Sequence, residues 1–139
     1  MVGAVERLAD EIDQLADLIV AEILASVPEY EDEPVAKLLL RPFVRQNADE
    51  VMREFRGIAT TTAAARNVAL TDAIATGLSL ETIERTFQIG RDRFRARLLE
   101  LGDGEDLAEP LARLDEAYET VIAAVRDEYR AVKERRGGD

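Results

Sequence analysis

The stretch "RTFQIGRDRFRARLLELG", residues 85–102, sets five arginines close together in a chain that is otherwise strongly acidic. Arg85, Arg91, Arg93, Arg95 and Arg97 admit two readings: a segment that reads nucleic acid, or one helix of a packed bundle. The helical period separates them. At about 100° per residue, Ile83, Phe87, Gly90, Phe94, Leu98 and Leu101 share one face. Arg93 and Arg97 border that face on one flank and Arg91 and Arg95 on the other. Arg85 lies behind, where Glu81 can pair with it at i, i+4. A recognition helix instead gathers its basic and polar side chains on the face that enters the groove. The stretch therefore reads as an amphipathic helix whose arginine stems cover the edges of an apolar seam.

Gly90 is the unusual residue of the seam. Glycine in a helix interior costs about 1 kcal/mol relative to alanine. Its position on the apolar face points to a close approach, either of another helix or of a ligand.

At 139 residues the chain suits a single domain (residues 1–139) with a real core. The net charge of −11 opposes a phosphate-tracking surface, so no direct nucleic-acid contact is expected. The charge is uneven. Residues 1–33 carry ten acids against Arg7 alone, residues 34–101 are net +3, and residues 102–139 are net −5. An acidic first element and a basic middle are suited to attract each other, within the fold or across a dimer. Cysteine and histidine are both absent, which removes disulfides, thiolate sites, His-dependent triads and His-ligated haem or zinc. "GDGED" at 102–106 lacks the spacing and trailing glutamate of a calcium loop. No metal, no cofactor and no catalytic constellation is expected, so the chain does not read as an enzyme. The N-terminus has no basic n-region, and no stretch reaches about 18 consecutive apolar residues. Neither a signal peptide nor a membrane contact is expected, and a cytoplasmic location follows.

The periodicity predicts an all-α bundle of five to six helices, the first and the last two being long. Val5, Leu8, Ile12, Leu15, Ile19 and Ile23 line an acidic first helix over 1–27. "SVPEYEDEP" opens a linker over 28–41, and Pro42 reads as the first residue of the next helix, which Gly57 closes. Val68, Ala69, Ala73 and Ile74 support a modest helix ending at Gly77. Ser79 is the expected N-cap of the arginine-rich helix. Pro110 falls in the first turn of a last helix with a near-heptad stripe. The remaining helices thus span 42–135, and residues 136–139 form a tail.

"LTDAIATGLSLETIERTFQIGRDRF", residues 70–94, resembles the N-terminal domain of RsbR/RsbRD-type co-antagonists of the stress kinase RsbT. Similar domains precede the helix-turn-helix of actinobacterial PucR-type transcription regulators. The resemblance is carried by Gly77, Leu80-Glu81, Phe87 and Ile89-Gly90-Arg91, and by the acidic helix with "IVAEILASVPEY", residues 19–30. It implies a globin-like, non-haem helical sensor domain, dimeric through its last two helices, that works with a downstream effector domain or regulatory partner. The absence of histidine accords with a globin-like fold that holds no haem through a proximal His.

Two functional readings follow. In the first, the chain is a non-catalytic signal-input and homodimerisation domain, with Leu111, Leu114, Tyr118, Val121, Val125 and Tyr129 at the dimer interface. In the second, it is a small-ligand module lined by Phe55, Phe87, Gly90 and Phe94, with Arg91 or Arg95 as an anion partner.

Overall fold

The computed structural model describes residues 3–58 and 77–137. Among these residues the architecture is all-α: five helices and one 3-10 turn, with no strand. The helix expected around Val68, Ala69, Ala73 and Ile74 lies outside the described residues.

The first amphipathic run is two helices rather than one, α1 (Ala4–Asp10) and α2 (Ile12–Ser26). Glu11 interrupts them at φ −104° and ψ 11°, where its N–H donates back to the Leu8 carbonyl in a tight turn. Its carboxylate is held from outside by Arg97. The bend lets α1 lie along the arginine-rich helix while α2 packs on both that helix and α3. Ala4 and Leu8, then Leu15, Ala16, Ile19 and Ile23, stay on the buried side throughout.

The segment expected as a linker over 28–41 is mostly structured. Pro28–Asp32 forms the 3-10 turn, and α3 (Pro34–Phe55) begins at Pro34. Pro34, not Pro42, is the proline at the helix start, and Pro42 sits inside the helix. An interior proline removes one N–H, here the one that would bond the Leu38 carbonyl, and its ring crowds the preceding turn. The side chains of Leu38 and Pro42 both face solvent, so water can reach that turn. The end of α3 is as expected. Gly57 takes φ +75°, with the N–H of Ile58 on the Arg53 carbonyl and the N–H of Gly57 on the Glu54 carbonyl. This is the paired closure that favours glycine at that position.

The arginine-rich segment forms α4 (Leu80–Leu101), and the last helix is α5 (Ala108–Gly137). The helix runs on through residues expected in the tail. The Ser79 hydroxyl oxygen accepts the Thr82 N–H at 3.1 Å, the cap read from the sequence. α4 and α5 form an antiparallel hairpin, and α3 lies between α2 and α5. Side chains from all five helices and the 3-10 turn merge into one buried cluster. α3 is the most deeply set, with Leu40, Phe43, Val44, Ala48 and Val51 on its buried side.

Candidate functional site

The seam of α4 is where the sequence places its candidate residues. Ile83, Phe87, Gly90, Phe94 and Leu98 are buried and Leu101 is half-buried, so the six-residue face exists as spaced. Phe87 meets Phe43 of α3 edge-to-face with ring centroids 5.1 Å apart, and Phe94 lies 6.4 Å from the ring of Tyr118 on α5. Such aromatic pairs contribute about 0.5–1.5 kcal/mol beyond their burial.

Gly90 is the point of closest approach. A Cβ placed there would stand 3.0 Å from the Tyr118 Oη and 3.7 Å from the ring. The close approach is that of a neighbouring helix: the phenol of α5 fills the space that the missing side chain leaves. Tyr118 itself is 1% exposed, and its hydroxyl has no hydrogen-bond partner among the described residues. Burial pushes the phenol well above its ordinary value of 10, and the nearby Arg91 cation offsets this only in part. The structure thus brings Phe87, Gly90 and Phe94 together on one seam with half-buried Arg91 at its edge. Phe55 is not part of that group. It is half-buried and lines a separate crevice with Val5, Arg56, Glu105 and Pro110.

The arginines serve the flanks, on the sides the helical period gives. Arg97 holds Glu11 through two hydrogen bonds, 2.7 and 2.9 Å, and Arg93 pairs with Glu22 of α2. Across the seam, Arg95 binds the Asp115 carboxylate of α5 at 2.7 and 2.9 Å. Arg91 meets its neighbour Asp92 at 3.5 Å. Arg85 departs from expectation. Instead of pairing with Glu81, it donates to the Ser26 carbonyl at the end of α2. The acidic first element and basic middle do attract one another within the fold, since Arg41 and Arg45 of α3 likewise bind Asp17 and Asp13. The fork on Glu11 holds its carboxyl below the ordinary value of 4.5.

The stripe on α5 lies against the chain's own helices. Leu114, Tyr118, Val121, Val125 and Tyr129 are buried in the core, and Leu111 is half-buried. The spacing of a stripe identifies an apolar side but not whose surface covers it, and here the covering surface is intramolecular. Two further polar contacts were not legible in the spacing. The Tyr30 hydroxyl pairs with the Thr86 hydroxyl at 2.9 Å, and the Tyr129 hydroxyl donates to the Leu78 carbonyl at 2.9 Å. All three tyrosines of the chain fall on inward faces, which is the signal that they anchor the bundle.

The model of the RsbT co-antagonist protein rsbRD N-terminal domain matches residues 13–139. The chain belongs to this family. The match begins inside α2 and includes the whole α4–α5 hairpin of this RsbRD-type domain. The family is a regulatory, non-catalytic one associated with stress-signalling proteins. No curated protein and no solved structure matches the chain. Among the described residues of the domain, no helix is long and apolar enough to cross a membrane, and no three acidic side chains converge as a metal site would need.

Proposed function

We propose that this chain is the signal-input and dimer-forming part of a bacterial stress- or transcription-regulating protein, built on a globin-like, non-haem arrangement. The observation that carries this is the family match over residues 13–139. The geometry supports it in one respect. The α4 cations are engaged within the domain, so its output is better suited to a protein partner or an effector domain than to nucleic acid. A cytoplasmic location accords with that role. The test is an exchange: the chain replaces the N-terminal half of an RsbR-type co-antagonist, and stress-dependent output is recorded. A chimera that still responds to stress supports the reading. Output fixed at one level under every stress overturns it.

A second reading, a small-ligand module at Phe87, Gly90 and Phe94, has one observation in its favour. Among the described residues the Tyr118 hydroxyl is a polar group inside that seam without a partner, and such groups mark places where a ligand or water can be accepted. A thermal-shift screen of small anions and apolar metabolites tests it. A rise in melting temperature lost in Tyr118→Phe supports the module, and a flat response across the screen removes it.

A further inference from the structure

A crevice of about 410 Å³ opens where the start of α1, the end of α3 and the turn before α5 meet. Small-molecule sites typically enclose about 300–1,000 Å³. Its apolar wall is made by Val5, Phe55, Leu107 and Pro110, all half-buried. Charged groups stand around that wall without neutralising one another. Glu6 and Glu105 converge on Gly3, where a Cβ would lie 2.6 Å from a Glu6 oxygen and 4.0 Å from a Glu105 oxygen. Glu105 accepts the Ala4 N–H at 3.3 Å, and neither carboxylate has a cation among the described residues. Arg56 lines the same crevice, exposed and with no ion pair among the described residues. Arg113 nearby differs from it. Its guanidinium donates to the Glu54 carbonyl at 3.2 Å and pairs with Glu109, so it ties the end of α3 to α5. Arg56 is left for a ligand.

An unpaired guanidinium and two unpaired carboxylates on one apolar wall discriminate among ligands. A simple anion would answer Arg56 but be repelled by Glu6 and Glu105, and a simple cation has the reverse fault. An uncharged apolar molecule would strip water from the three charges and put nothing in its place. A molecule with a carboxylate, an ammonium and an apolar body answers every group. We propose that the crevice binds a free amino acid with an apolar side chain. Its carboxylate meets Arg56, its ammonium lies between Glu6 and Glu105, and its side chain rests on Phe55 and Leu107. The site is separate from the α4 seam, so it stands apart from the ligand reading given above for Tyr118.

Isothermal titration of the full 139-residue chain with L-leucine, L-methionine and L-phenylalanine, each to about 10 mM, tests it. At least one should bind saturably. Three controls built on that amino acid should each bind at least tenfold more weakly: its amide, which lacks the carboxylate, its N-acetyl form, which lacks the ammonium, and glycine, which lacks the apolar body. Arg56→Gln should abolish the advantage over the amide and keep the advantage over the N-acetyl form. Glu6→Gln with Glu105→Gln should do the reverse, and the new amide oxygen at position 105 can still accept the Ala4 N–H. All three replaced side chains are exposed, so circular dichroism and melting temperature should match the wild type. No saturation with any of the three amino acids overturns the proposal. So does binding that the amide and N-acetyl controls match, or that Arg56→Gln leaves unchanged.

Discussion

At the residue scale, Gly90 and Tyr118 define one contact that neither residue explains by itself. The sequence marked Gly90 as a close approach, because a helical glycine on an apolar face needs a reason. It could not name the visitor, since a helical wheel orders the residues of one helix and says nothing of the atom that arrives from another. The contact predicts a non-additive pair of substitutions. Tyr118→Phe removes an oxygen that is buried without a partner among the described residues, a condition that costs about 1–3 kcal/mol. It should raise stability in urea unfolding, by about 0.5–2 kcal/mol after allowance for the small void left behind. Gly90→Ala in the wild type gains helix propensity but sets a methyl 3.0 Å from an immobile phenol oxygen. It should destabilise by about 1–2 kcal/mol. In the Tyr118→Phe background that oxygen is gone and the remaining ring contacts are ordinary at 3.7 Å, so Gly90→Ala should turn neutral or stabilising. Additive effects across the four proteins would show that Tyr118 does not fill the Gly90 face.

At the scale of elements, α4 was legible down to its cap and its flanks because Ser79 and the seam agree on one helix. The first helix and α3 were legible in periodicity but not in their boundaries. Glu11 breaks the first run because a tight turn and Arg97 act together there, and only one of these is local. Pro42 read as a helix start because proline is tolerated there, yet the buried stripe of α3 runs through it from Ala36 to Val51. Burial on both sides of the proline outweighs its intrinsic penalty. Pro42→Ala should therefore return the Leu38 hydrogen bond without disturbing the core and raise stability by about 1–3 kcal/mol in urea unfolding. A loss of stability would mean that the helix needs its proline. The Glu11–Arg97 fork has a pH signature. The Glu11 carboxyl is depressed in the folded state, so its contribution is fully present above its unfolded value and is lost as pH falls through the lower, folded one. Glu11→Gln should flatten the stability–pH curve below about pH 4.5 and leave its slope near neutrality unchanged, as read from thermal midpoints. Parallel curves for the two proteins would remove the fork from the account.

At the scale of the whole molecule, charge is arranged by element, and the ion pairs follow the arrangement. α2 is acidic and meets the arginines of α3 on one side and those of α4 on the other. The split was visible in composition, but its address was not, since composition leaves attraction within a chain and attraction between chains equivalent. For the α5 stripe the same ambiguity decided the reading. A near-heptad pattern suits a partner helix from either source, and in this fold α3 and α4 of the same chain supply the cover. Within "RTFQIGRDRFRARLLELG", Arg93, Arg95 and Arg97 hold α4 to its neighbours. Urea unfolding of the Arg93→Gln, Arg95→Gln, Arg97→Gln triple variant, run beside the wild type at low salt and at about 0.5 M salt, tests it most directly. The variant should unfold at a lower midpoint at low salt, with a gap that narrows as salt screens the pairs. Equal midpoints at low salt would contradict it.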